Sequence, residues 1–420
     1  YGAPAKIFPK TLELIEDSTA LPRNITDVCP QSKIDIGWII ASFEKQFKEN
    51  FPDWVIGFNP EERKAKMAKA INEMALAGLG EVRVVSGDLS RFDGTQCYMA
   101  RRCVVDALCH GMTAEDKLKY RKTCVSIGRA KVGEFLWSAM MQLIIVGTMT
   151  SGSMDTTAGN TFLVYIVLVV WARKYGQVDV AGRLLVRFFV SGDDFIVLGF
   201  GDFHTQLVQA FAEHGFRLKL SAPSSVSSFV FCSTRYFSID NGYGVKLLAC
   251  RLPGRILCKT GWMPMPYKYC ERVMASRQLA KLCCIWLDVQ GIPVVQQFIA
   301  ASIGLALAQV RAKMNFKSTE DAVERVVGLA GSYVEENMYS HNIVDLEQVK
   351  SVLRAAVSTG KVPVGSPVST DMRTKFEELY GLHTDDQLAL EASMTRTGTC
   401  DYTPPLMSDY SGLIALLGDR

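Results

Sequence analysis

Residues 183–200 read RLLVRFFVSGDDFIVLGF, with two adjacent carboxylates, Asp193 and Asp194, between two of the more apolar runs in the chain. A buried, unpaired carboxylate is costly, so two side by side must be neutralised, be paired or hold a cation. Leu184, Leu185, Val186, Phe188, Phe189 and Val190 read as one strand, and Phe195, Ile196, Val197 and Leu198 as a second. Gly192, Asp193 and Asp194 make the tight turn between them. Such a hairpin holds both carboxylates at its tip. Gly and Asp are also ordinary turn residues, so the triplet acquires a function only if partners stand elsewhere.

The 420 residues, 48% hydrophobic, are enough to bury a large core in two or three subdomains. A net charge of +3 neither demands nor excludes a polyanionic partner, so a nucleic-acid reading must rest on local basic clusters. Twelve cysteines without a repeated spacing point to reduced thiols inside a cell rather than a disulfide framework. Cys103, Cys109 and His110 lack the paired spacing of a zinc site. The most hydrophobic run, Phe162 to Ala172, is well short of the roughly 20 residues that span a bilayer. It reads as a buried helix, and no transmembrane segment is expected. The start at Tyr1, without methionine, suggests a processed product or a fragment. Mixed helix and strand extend to about residue 262, and helix predominates afterwards: Leu279, Leu282, Cys283, Trp286 and Leu287 share a helical spacing.

Upstream of the hairpin, EVRVVSGDLSRFDGT (residues 81–95) offers Val82, Val84 and Val85 as a strand ending at Asp88, with Asp93 five positions later. Laid beside the hairpin in one antiparallel sheet, this strand brings Asp88 and Asp193 to the same edge. Their oxygens suit hard divalent cations, and two Mg²⁺ ions about 4 Å apart would serve phosphoryl transfer. Between these segments lies TSGSMDTTAGNTF (residues 150–162). Ser151 and Gly152 open a loop, Gly152 permits close approach of a ligand to the backbone, and Thr156 and Asn160 share one face of a helix start. On residues alone, this is equally a polar loop capping a helix.

In order and spacing these segments resemble the palm of viral RNA-dependent RNA polymerases, most closely those of plus-strand RNA viruses of the tombusvirus and nodavirus kind. Asp88 and Asp93 resemble motif A, Ser151 to Asn160 motif B, and Gly192-Asp193-Asp194 motif C. Asp88 stands 64 residues before Gly152, which stands 41 before Asp193. Further downstream, HGFRLKLS (214–221) resembles motif D, whose lysine, here Lys219, is taken to protonate the departing pyrophosphate. FVFCSTRYF (229–237) resembles motif E, with Arg235 as a phosphate contact. The following RLPGRILCKTGW (251–262) adds Arg251, Arg255 and Lys259 against primer or template. LPRNITDVCPQSKIDIG (21–37) resembles motif F, a basic fingertip placing Arg23 and Lys33 on the nucleotide phosphates, although Asp27 and Asp35 are interleaved. A basic run from Lys117 to Lys131, with Tyr120 inside it, reads either as a lining of an RNA channel or as a solvated helix face.

The resemblance implies an α/β (α+β) right-hand polymerase fold with an antiparallel-sheet palm. Its parts would be partial fingers over residues 1–80, a palm over 81–242 with an inserted fingers segment at about 101–147, a helical thumb over 243–393 and a tail over 394–420. It implies template-directed synthesis of viral RNA, with two Mg²⁺ ions, or Mn²⁺ in their place, held by Asp88, Asp193 and Asp194. Ser151, Gly152, Thr156, Asn160, Asp93 and Arg23 would meet the nucleotide. RNA template and primer, nucleoside triphosphates and other viral replicase proteins would be the partners, at membrane-associated replication complexes in the host cytoplasm. The rivals are a reverse transcriptase or other palm nucleotidyltransferase, against which Asp93 and Asn160 argue, and a catalytically silent RNA-binding subunit, against which the three aspartates and the motif B loop argue.

Overall fold

The computed structural model describes residues 5–9, 24–27, 30–51, 53–110, 112–127, 129–132, 141–144, 153–240, 242, 244–260, 270–314, 316–337, 346–362 and 364–396. The chain divides into two compact units, residues 1–58 with 70–225 and residues 59–69 with 226–420.

In the first unit the order is β1 (Ala5–Pro9), β2 (Asn24–Asp27), α1 (Pro30–Asn50), α2 (Pro60–Leu76, whose first residues belong to the second unit), β3 (Val82–Leu89), α3 (Phe92–Thr95), α4 (Tyr98–Leu108), α5 (Ala114–Ile127), β4 (Arg129–Val132), β5 (Met141–Ile144), α6 (Thr156–Lys174), β6 (Arg187–Ser191), β7 (Asp194–Phe200), α7 (His204–Glu213), β8 (Leu218–Leu220) and β9 (Ser224–Ser225). The sheet that matters for the site is antiparallel, in the order β6-β7-β3-β8, with β9 also pairing β3. Phe195 to Gly199 of β7 are all buried, as the unbroken apolar run of a central strand requires. One face of the sheet, with Val85, Phe188, Val190, Phe195 and Val197, shares a core with Val164, Leu168 and Trp171 of α6, Leu207 and Phe211 of α7 and Ile36, Ile39 and Ile40 of α1. The other face carries the side chains of the alternate residues, Asp88 and Asp194 among them.

The apolar run expected as a buried helix lies within α6. This helix is long and apolar enough to cross a membrane, yet Leu163, Val164, Val167, Leu168, Trp171 and Ala172 are buried inside the protein. Lys33, read with Arg23 as part of a basic fingertip, sits in the helix α1, where residues 30–50 carry the apolar periodicity of Ile36, Ile39, Ile40 and Phe43.

The second unit comprises β10 (Ser228–Phe231), β11 (Thr234–Asp240), β12 (Val245–Arg251), α8 (Pro253–Lys259), α9 (Glu271–Asp288), α10 (Val295–Lys313), α11 (Thr319–Asn337), α12 (Leu346–Thr359), α13 (Thr370–Tyr380) and α14 (Thr384–Arg396). Its three strands form one antiparallel sheet, β10-β11-β12. The stripe of Leu279, Leu282, Cys283 and Trp286 is buried with Phe237, Ile299, Ile303, Leu353 and Phe376 in a single core. This is the helical region expected from the sequence.

Candidate active site

The hairpin around the double aspartate is tighter than its sequence suggests. Ser191 pairs with Asp194, so the turn is the two residues Gly192 and Asp193, and Asp194 is the first residue of β7 rather than part of the turn. Gly192 takes φ +70°, the positive φ that a two-residue hairpin turn demands at its first position and glycine adopts freely. On the other side of β7, pairing with β3 runs to Gly87 opposite Phe195. One step further sets Asp88 level with Asp194. Asp88 in turn lies opposite Lys219 of β8. Residues directly opposite in an antiparallel sheet point to the same face, about 4.5–5.5 Å apart. Ser191, Asp194, Asp88 and Lys219 therefore form one polar row across four strands, with Asp193 at the adjoining turn. Asp88 and Lys219 are exposed, and Asp193 and Asp194 are half-buried.

Gly87 makes this register possible. A Cβ there would come within 2.6 Å of Cε1 of the Phe195 ring, which stacks on Phe211 at 5.4 Å between centroids.

Carboxylate oxygens are the donors that a hard divalent cation selects, and the backbone places two of them on neighbouring strand ends and the third on the turn. In kind and in backbone placement Asp88, Asp193 and Asp194 fit such an ion. Among the described residues no three His, Cys, Asp or Glu side chains converge as a ready-made metal group.

The helix α6 joins the two carboxylate-bearing segments. Thr156 opens it, while Ser151 and Gly152 lie outside the described residues. Asn160 donates from Nδ2 to Oδ1 of Asp93 at 2.7 Å, and its own Oδ1 accepts from Nε2 of Gln96 at 2.7 Å. Asp93 reaches this position because the chain turns sharply after β3: Arg91 adopts φ 54°, ψ 39°, and the short helix α3 follows. The next residue, Thr161, accepts the backbone N–H of Gly192 at 2.7 Å and donates to the Thr157 carbonyl at 2.8 Å. Adjacent residues of one helix thus hold the segment of Asp93 and the turn of Asp193.

Below Thr156, Asp155 is fully buried. It forms an ion pair with Arg101 of α4, accepts the Ser153 hydroxyl and accepts the Tyr120 hydroxyl of α5 at 2.9 Å. Burial pushes the Asp155 carboxyl up, but the Arg101 guanidinium and these hydrogen bonds outweigh it and hold the group below the usual carboxylate range. Tyr120, read in the sequence as part of a basic run, is buried against Asp155 rather than presented with its neighbours. Around it Lys119 and Arg121 are exposed, and they lie 3.4 and 3.5 Å from Asp35 and Asp106.

Arg23 lies outside the described residues. Arg235, Arg251 and Arg255 belong to the second unit and gather around the β10–β11 turn. Arg251 pairs with Thr234, Arg255 donates to the Ser233 hydroxyl at 2.8 Å, and Arg235 donates to the Ser228 hydroxyl at 3.3 Å. Arg235 also lies over the Tyr380 ring, 5.8 Å from its centroid. All three are half-buried.

Three residues of the site have roles that sequence reasoning did not assign: Gln96, Asp155 and Thr161. The one usable signal was Asp155, a charge at a helix start whose apolar continuation implies burial. Gln96 and Thr161 act through partners 64 and 31 residues away and carry no local pattern.

A family model described as viral RNA dependent RNA polymerase matches residues 139–400, more than half of the chain. That range contains Asn160, the double aspartate, Lys219 and the three arginines. Asp88, Asp93 and Gln96 precede it and are joined to it by the β3–β7 pairing and the Asn160 hydrogen bonds. No curated protein matches the sequence. Among solved structures, the RNA-dependent RNA polymerase of a human picorbirnavirus aligns at TM-score 0.53 and 14% identity, over 85% of this chain and 64% of that one. The insertion loop deletion mutant of that polymerase aligns at 0.48 and 13%, over 79% and 61%. The chain therefore spans somewhat under two thirds of the length of the solved polymerase, and at such identity the likeness establishes the right-hand polymerase fold alone. With the family match over most of its length, the chain belongs to the viral RNA-dependent RNA polymerases.

Proposed function

We propose that the chain carries out template-directed RNA synthesis, adding nucleoside triphosphates to an RNA primer or initiating nucleotide on a viral RNA template. The observation that carries the reading is the coupling of Asn160 to Asp93 beside the row of Asp194, Asp88 and Lys219. Asp88, Asp193 and Asp194 would hold divalent ions, Mg²⁺ by preference and Mn²⁺ as a substitute. When bound, such ions activate the attacking hydroxyl and neutralise charge on the leaving pyrophosphate. The chain's own groups supply positioning and proton handling. Asn160, with one Nδ2 hydrogen committed to Asp93, retains a second donor for the ribose 2′-hydroxyl, and Asp93 supplies a carboxylate acceptor. Lys219, opposite Asp88, can deliver a proton from Nζ to the departing pyrophosphate. Arg23, Ser151, Gly152 and Thr156 would meet the nucleotide, and Arg235, Arg251 and Arg255 the RNA phosphates. Other replicase proteins would complete the assembly at host membranes.

The test is primer extension on an RNA template with GTP and dGTP in separate reactions. The reading requires preferential incorporation of GTP, and it requires Asp93→Ala and Asn160→Ala to narrow that preference mainly by slowing GTP. Preferential incorporation of dGTP would instead assign a reverse transcriptase, and RNA binding without incorporation of either would assign a silent subunit.

A further inference from the structure

Gln96 is almost fully buried, at 3% exposure, in the link between α3 and α4. Its Nε2 donates to Asn160, while its Oε1 is buried and has no hydrogen-bond partner among the described residues. A buried acceptor left unmatched is uncommon and calls for a reason. The chemistry of Asp93 supplies one. An ionised carboxylate only accepts, so Asn160 must turn its NH₂ toward Asp93 and its carbonyl toward Gln96, and Gln96 must then present its NH₂. The polarity of the whole chain, Gln96 to Asn160 to Asp93, follows from the charge at one end.

We infer that Gln96 is a positioning residue for sugar selection: by holding the Asn160 carbonyl, it fixes which end of the amide meets Asp93 and which donor remains for the 2′-hydroxyl. This rests on the polymerase reading above. Without that hold, the Asn160 amide is fastened at one end only. With an acceptor in its place, the amide is asked to donate in two opposed directions, and any turn that satisfies the acceptor sets a carbonyl against the Asp93 carboxylate.

Two near-isosteric substitutions separate this role from packing. Gln96→Glu replaces the donor by an acceptor, and Gln96→Met replaces it by an apolar chain of similar length. Both would be assayed beside wild type for single-nucleotide incorporation of GTP, dGTP and 3′-deoxyGTP, after thermal melts confirm folding. Gln96→Glu should lower the GTP-to-dGTP ratio of kcat/KM by about tenfold or more, and Gln96→Met by a smaller factor. The loss should fall on GTP and on 3′-deoxyGTP, which keeps its 2′-hydroxyl, and spare dGTP. If Gln96→Glu does not fold, a lowered ratio in Gln96→Met supports the inference and an unchanged one overturns it. A wild type that prefers GTP, with folded variants that keep the same ratio or lose all three nucleotides equally, overturns the role of Gln96 alone. A wild type that incorporates none of them overturns the polymerase reading and this inference with it.

Discussion

Thr161 accepts the backbone N–H of Gly192 across 2.7 Å, so the turn that carries Asp193 hangs from the same helix that carries Asn160. The hydroxyl is buried and also donates to the Thr157 carbonyl, which fixes its rotamer. Any drift of α6 is thereby transmitted both to Asp93, through Asn160, and to the double aspartate, through Thr161. In a reaction that depends on placing groups to within an ångström, such a shared anchor has consequences.

Thr161→Val keeps the shape and removes the acceptor, leaving the Gly192 N–H buried without a partner. A loss of about 1–3 kcal/mol in stability is expected. Nucleotide incorporation should fall by about tenfold or more, because the Asp193 turn is no longer held. Thr161→Ser keeps the hydroxyl and should stay near wild type in urea denaturation and in primer extension.

Gly87→Ala forces a methyl group into the Phe195 ring. Overpacking of this kind costs about 1–3 kcal/mol and displaces the strand next to Asp88. Pairing the change with Phe195→Leu should recover part of the loss, which a double-mutant cycle of unfolding free energies would show as non-additivity.

The Arg101–Asp155 pair joins α4 to the start of α6 in the interior. Arg101→Met alone leaves a buried carboxylate without its cation, at an expected cost of about 3–5 kcal/mol. Adding Asp155→Leu removes the stranded charge, so the double variant should be more stable than Arg101→Met. Denaturant titration checks the order.

In the second unit, burial pushes the Asp288 carboxyl up to about 7, with Arg251 and Lys64 pulling it back and Glu61 adding to the rise. A carboxyl whose pKa is raised on folding favours the folded state fully below its unfolded value of 3.8, and the advantage is lost as pH rises through about 7. Asp288→Asn, which never ionises, should therefore gain in melting temperature relative to wild type between pH 4 and 7, with the gap level above that. Thermal melts at pH 4.5 and 8 give the comparison; a gap that shrinks toward pH 8 would reverse the sign.

What was legible in the sequence is what short-range patterns encode. The apolar run from Phe195 marks a central strand, Val82 to Val85 mark its neighbour, and the spacing of Thr156 and Asn160 marks a helix start. The polar row across the sheet needs a pairing register, and the register depends on Gly87 admitting the Phe195 ring, which no local pattern announces. The basic run around Tyr120 read as a channel lining or a solvated helix face, whereas a helix in contact with the core turns one residue in three or four inward, and here that residue is Tyr120. Arg91 in a left-handed conformation, which swings Asp93 toward Asn160, had no glycine or asparagine to signal it.

The proposed joint role of Asp88 and Asp193 is to support metal-dependent nucleotide addition. It is tested most directly by measuring Mg²⁺-dependent incorporation of a matched ribonucleotide into a primed RNA template for wild type, Asp88→Ala and Asp193→Asn, with folding checked by thermal melts. Loss of a carboxylate that would hold a catalytic divalent ion should raise the barrier by several kcal/mol, so each folded variant should fall by about a thousandfold or more. Activity within tenfold of wild type in either folded variant would contradict the assignment.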